Sequence, residues 1–205
     1  MIDFADDAHD LIAGYRRFRA GRYREARDRF HRLRDTQTPA TMIIACADSR
    51  ADPAMIFDAA PGELFVVRNV AALVPPYEET AGRHGVSAAL EFAVTQLKVK
   101  QIVVMGHGGC GGIAASLAAA DHRPIGRFIA PWVEIAAEAR DAVLADATIP
   151  AKDWQEAVEH GAVRIARPRG NLIVAGELAD LTQRVARPVV LQLHRGRDVR
   201  LQSAG

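Results

Sequence analysis

A chain of 205 residues, 49% of them hydrophobic, is long enough to bury a full core and short enough for a single domain. Its 26 Lys and Arg against 25 Asp and Glu leave a formal charge of +1, so no overall field points to nucleic acid or an anionic membrane as partner. The acidic opening from Met1 to Asp7 lacks a basic-then-apolar leader pattern, and no apolar run approaches the roughly 18 residues that span a bilayer, so a soluble, cytoplasmic protein is expected.

From about Asp7 to Arg34 the apolar positions Leu11, Ile12, Tyr15, Phe18, Tyr23, Ala26, Phe30 and Leu33 recur at helical spacing among many arginines. The pattern predicts two amphipathic helices broken at Gly21, presenting either a solvated charged face or an arm that covers a partner subunit. After a loop at 36–39, Thr41 to Cys46 reads as a buried strand, and Asp52-Pro53 opens a short helix through Phe57. Glu63 to Val67 is a second apolar run of the kind found in parallel strands covered on both faces, closed by Arg68-Asn69-Val70. A loop at 75–85 leads to an alanine-rich helix from Val86 to Leu97, then to a third strand from Gln101 to Met105. Helices are expected after Gly112, over Trp132 to Leu144 and over Lys152 to Ile165; Pro188 to Leu193 can form a last strand, and 171–175 is too short to assign. The alternation of strand and helix implies an α/β fold with right-handed crossovers, whose sites gather at the carboxyl ends of strands.

Those ends carry the chemistry. Gly106-His107-Gly108-Gly109-Cys110-Gly111-Gly112 follows the third strand and opens a helix, placing two soft-metal ligands in a backbone free to take positive φ. The only other cysteine, Cys46, ends the first strand and precedes Asp48 and Arg50. Adjacent parallel strands would bring Cys46, His107 and Cys110 together as a Cys₂His set with a fourth position open, the pattern of catalytic zinc. One disulfide is the competing use of two cysteines, and their setting at strand ends favours metal. Asp48 and Arg50 alone would read as an ordinary ion pair; beside Cys46, Asp48 can accept a hydrogen bond from the nucleophile and aim it. His9, His31, His84, His122, His160 and His194 show no ligand-like spacing to this cluster.

In these motifs the sequence resembles the β-class carbonic anhydrases, whose signatures have the forms Cys-x-Asp-x-Arg and His-x-x-Cys. The agreement runs almost without gaps from about Leu11 to Leu117, including the stretches 61–70 and 88–94. The resemblance implies a single domain with a mainly parallel sheet flanked by helices: a helical arm over 1–35, a zinc-site core over 36–125, and a helical and C-terminal part over 126–205. It implies Zn²⁺ on Cys46, His107 and Cys110, with Asp48 and Arg50 as the catalytic pair; in a closed state known in part of the family the aspartate itself ligates zinc. Gln37 matches a glutamine that donates to bicarbonate, and Phe65, Val70, Phe92 and the Gly111 N–H match positions lining a small apolar pocket. Phe92 stands where some members have tyrosine, and Ala47, Ala72 and Gly108 replace residues that are often serine, asparagine and serine.

The activity so implied is reversible hydration of carbon dioxide to bicarbonate, in a homodimer or dimer of dimers without nucleic-acid or membrane partners. Two rivals are a hydrolase of carbon disulfide or carbonyl sulfide on the same fold, and a catalytically impaired zinc-binding interaction module. From about Ala166 the family pattern fades, through a divergent tail or a shifted reading frame, which translation of the coding DNA in its other frames distinguishes.

Overall fold

The structure, a computed structural model, describes residues 4–76, 82–165, 186–193 and 200–202. The chain divides into two compact units, Met1–Gln37 and Thr38–Gly205.

The first unit is helical: α1 (Phe4–Ala20), α2 (Arg22–Glu25) and α3 (Arg27–Arg32). The predicted break at Gly21 is present, and a further break falls at Ala26, so the second helix is two short ones. What holds these turns is an aromatic cluster rather than caps, since neither Gly21 nor Ala26 offers a capping side chain. Phe18 meets Tyr23 and Phe30 at 5.9 Å, Tyr23 meets Phe30 at 5.0 Å, and the Arg19 guanidinium lies 5.1 Å over the Tyr23 ring. Leu11, Ile12 and Tyr15 remain exposed.

The second unit is built on a sheet of β1 (Thr41–Cys46), β2 (Leu64–Asn69), β3 (Gln101–His107), β4 (Ala186–Leu193) and β5 (Arg200–Gln202), in the order β2-β1-β3-β4-β5. The pairs β1–β2, β1–β3 and β3–β4 are parallel, and β4–β5 is antiparallel. The expected strand at 188–193 is therefore real and starts two residues earlier; β5 carried no signal that the sequence reading used. The assignment left open at 171–175 lies outside the described residues.

Burial on both faces explains the unbroken apolar runs of β1 and β3. Met42 and Ile44 pack on one face against Val86, Leu90, Val94 and Ile102, while Ile43 and Ala45 pack on the other with Ala51, Val103 and Met105. Each large apolar side chain so covered contributes about 1.5–3 kcal/mol relative to exposure. Around this sheet lie α4 (Pro53–Ile56), α5 (Gly85–Glu91), α6 (Gly111–Ala120), α7 (Ile129–Val133), α8 (Ala137–Ala145) and α9 (Trp154–Ile165). Asp52 caps α4 by accepting from the N–H groups of Ala54 and Met55, and Pro53 fills the first turn, as its sequence suggests. The helix expected over 86–97 changes character part-way. Phe92–Gln96 forms a π turn, with the Leu97 N–H reaching the Phe92 carbonyl at 3.1 Å.

Candidate metal centre

Register brings the strand ends together. In β1, Cys46 lies opposite Asn69 of β2, while Ala45 lies opposite Met105 of β3, so the chain leaving β3 delivers His107 and Cys110 beside Cys46. Two glycines make the turn possible. Gly109 takes φ 70°, a left-handed conformation that side chains disfavour. A Cβ on Gly112 would stand 2.7 Å from the Ala71 Cβ and from Val70 Cγ1, so only glycine lets α6 approach the Val70–Ala72 turn. That turn is itself pinned: the Asn69 side chain donates to the Leu73 carbonyl and accepts the Leu73 N–H, and Trp132 Nε1 donates to the Val70 carbonyl at 2.8 Å.

Cys46, His107 and Cys110 are all buried, and their ligand atoms lie within 4.8 Å of one another. The cysteines are free, with their sulfurs 3.9 Å apart. A tetrahedral ion about 2.3 Å from each of two sulfurs separates them by about 3.8 Å, so the pair is spaced for a metal rather than for a disulfide bond of about 2.05 Å. His107 Nδ1–H donates to the Gly108 carbonyl at 3.2 Å, which leaves the Nε2 lone pair as the ligand. Among the described residues, Nε2 is the buried side-chain polar atom without a hydrogen-bond partner. Two sulfurs and an orphaned imidazole nitrogen fit a soft or borderline divalent cation.

The electrostatics agree. The Cys46 thiol is drawn down to about 4, chiefly by the hydrogen bond from Cys110, with His107 and the N–H groups of Asp48 and Ala71 adding to it against burial. Cys110 is pushed up by that same thiolate neighbour and by burial, although the N–H groups of Ile113 and Gly112 at the start of α6 favour its anion. A divalent cation beside the two sulfurs favours the thiolate form of both.

Asp48 stands over this cluster. Arg50 donates from its backbone N–H and Nε to Asp48 Oδ1, both at 2.9 Å, and from Nη2 to Oδ2 at 2.7 Å. Those bonds hold the carboxyl well below the usual carboxylate range. Arg50 Nη2 also donates to the Gly109 carbonyl at 3.1 Å, tying the pair to the His-x-x-Cys turn. Asp48 Oδ2 is 4.0 Å from His107 Nε2, and both its oxygens are engaged by Arg50.

The remaining expected site residues fall into two groups. Val70 and Gly111 flank the cluster from the turn after β2 and the start of α6, both exposed. Phe65 and Phe92 form a ring pair at 5.9 Å, but Phe65 lies opposite Met42, four residues before Cys46 in the register, or about 13 Å along the strand. Within one chain, then, this pair does not converge on the cysteines. Gln37 is exposed at the end of the helical unit.

Several groups around the site were not legible beforehand. Arg68 donates to the carbonyls of Cys46 and Asp48 and pairs with Asp52, clamping the Cys46–Asp48 segment. Its position at a strand end opposite Ala45 is the only available signal, and it depends on register. On α9, Glu159 accepts the Cys110 N–H, and Gln155 donates to Glu159 and to the Cys110 carbonyl. No spacing rule links them to residue 110.

Residues 41–176 match the family described as carbonic anhydrase. Beta carbonic anhydrase 3 of Arabidopsis thaliana is 37% identical over 143 residues, covering 69% of this chain and 55% of that protein. The chloroplastic beta carbonic anhydrase 5 of the same plant is 39% identical over 139 residues, covering 68% and 46%. The chain thus spans about half the length of these relatives. Among solved structures, the β-carbonic anhydrase CcaA superposes with a TM-score of 0.84 at 26% identity, over 98% of this chain and 93% of that one. The β-carbonic anhydrase CafA of Aspergillus fumigatus superposes with a TM-score of 0.77, also at 26% identity, over 97% and 92%.

Proposed function

The chain belongs to the β-class carbonic anhydrases, and from that premise we propose that it interconverts carbon dioxide and bicarbonate with a zinc ion held by Cys46, His107 and Cys110. The observation that carries this reading is the partnerless, buried Nε2 of His107 beside two sulfurs 3.9 Å apart. A zinc ion in such a site supplies Lewis acidity, which brings the pKa of a water to about 7. The protein's own part is positioning. Asp48, kept ionised by Arg50, is an acceptor that fixes a nucleophile's proton and leaves its lone pair free. Arg50, anchored on the Gly109 carbonyl, keeps that carboxylate from swinging over the ligands. Val70 offers an apolar wall for a small linear substrate, and the Gly111 N–H, at the start of α6, suits the charge that bicarbonate develops.

Phe65 and Phe92 enter the same reading through a second copy of the chain. Their distance along the sheet from Cys46 and the exposure of Phe92 support a homodimer or dimer of dimers in which this pair, and Gln37, serve the pocket of the neighbouring subunit. The exposed Leu11, Ile12 and Tyr15 of α1 and Val66 of the edge strand β2 add apolar surface for such contacts. Among the described residues no helix is long and apolar enough to cross a membrane. Metal analysis followed by stopped-flow assay of carbon dioxide hydration tests the proposal. The expected result is about one zinc per chain and zinc-dependent hydration; zinc-loaded protein without hydration, or with turnover of carbonyl sulfide alone, overturns it.

A further inference from the structure

Glu159 is the one acidic residue among the buried polar and charged residues described, at 5% exposure. The other buried charge, Arg140, is neutralised by Glu134 and Asp141, so its burial has a local explanation. Among the described residues Glu159 has no such cation. Its carboxylate is spent on the metal centre: Oε1 accepts the backbone N–H of Cys110 at 2.8 Å. Gln155, one helical turn earlier on the same face of α9, donates from Nε2 to that oxygen at 3.0 Å and to the Cys110 carbonyl at 3.4 Å. Both polar main-chain groups of the ligand are thereby held by one helix.

The need for an outside anchor follows from the sequence around the ligand. Cys110 is flanked by Gly108, Gly109, Gly111 and Gly112, so the local backbone has little intrinsic restraint on where the sulfur points. The N–H of Cys110 is directed to Glu159 Oε1. Fixing that N–H fixes the rotation that aims Cβ and Sγ. Without an acceptor there, the N–H would be buried and unpaired.

We propose that Glu159 is a positioning residue for the metal: its carboxylate oxygen, held by Gln155, locks the Cys110 main chain and so keeps the ligand sulfur aimed at the ion. The proposal rests on the zinc reading above. Its content is an acceptor rather than a charge, so glutamine at 159 serves where alanine does not.

The test measures the zinc dissociation constant of the full chain by competition with a chromogenic chelator, the cobalt–thiolate absorption bands after cobalt substitution, and the thermal midpoint of the metal-free protein. Glu159→Ala is expected to weaken zinc binding about ten- to a hundredfold and to alter the cobalt bands, while Glu159→Gln stays within about threefold of wild type. Should Glu159→Ala fail to fold, Gln155→Leu carries the test, with an expected loss of about threefold or more. Zinc affinity equal to wild type in the folded alanine or leucine variant, with only the metal-free midpoint lowered, overturns the proposal in favour of a purely structural contact. A glutamine variant as weak as alanine also overturns it. If the wild-type chain itself takes up no zinc, the failure belongs to the zinc reading instead.

Discussion

At the carboxyl ends of β1 and β3 the proposed ligand residues Cys46, His107 and Cys110 are buried and braced within one chain by Arg50, Arg68, Glu159 and the glycine turn. Toward the other end of the sheet, Phe65 of the edge strand β2 forms a tilted ring pair with Phe92, which is 45% exposed, and Val66 of β2 is also exposed. The first region satisfies nearly every polar group it buries, and the exception is the nitrogen a metal would take. The second packs Phe65 on the core but leaves hydrophobic surface of Phe92 and Val66 exposed among the described residues. On the proposed reading, the contrast assigns metal binding to the single chain and a closed apolar pocket for the substrate to the assembly.

The sharpest way to break that division is to remove a ligand. Cys46→Ser or Cys110→Ser is expected to abolish stoichiometric zinc and hydration together, measured by elemental analysis and stopped flow, because a three-ligand site has no spare donor. Zinc retained in both variants would sink the assignment. Next in size, Asp48→Asn should keep zinc and lower the hydration rate about a hundredfold, since it removes a preorganised anionic acceptor without touching a ligand. An unchanged rate would reduce Asp48 and Arg50 to a structural ion pair of little energetic consequence.

The second region is probed by Phe92→Glu. A charge on this exposed ring position should shift light-scattering mass toward the monomer and lower hydration about tenfold, while zinc content stays at the wild-type value. Loss of zinc in this variant would mean that the two regions are coupled. The smallest effect is expected from Trp132→Phe, which deletes the donor to the Val70 carbonyl while keeping an aromatic ring. It should cost about 0.5–1.5 kcal/mol in denaturant unfolding and leave the subunit count unchanged.

Much of the second unit is legible in the sequence. The apolar runs at 41–46 and 101–105 are strands covered on both faces, whereas 64–67, expected to be covered likewise, is the half-buried edge strand with Val66 exposed; Asp52-Pro53 and Gly111-Gly112 mark helix starts by their chemistry. The break at Ala26 and the π turn at Phe92–Gln96 were not readable, because no residue type there enforces them. Packing among Phe18, Tyr23 and Phe30 shapes the first unit, and periodicity records only that those side chains share a face.

For the site, local sequence determined the donor atoms and the flexible turn: cysteine and histidine at strand ends, an aspartate and an arginine two and four residues after Cys46, and glycines where φ must be positive or backbones must touch. Tertiary structure alone decided which distant groups brace those donors. Arg68 reaches Cys46 through strand register, and Gln155 and Glu159 reach Cys110 because α9 packs its i, i+4 face against the start of α6. It also decided that Phe65 and Phe92 stand away from the cysteines of their own chain. The physical reason is range: a side chain's chemistry and its backbone preferences act over one or two turns and are written in neighbouring residues. A hydrogen bond between residues 49 positions apart exists only once the sheet and the helices have fixed the space between them.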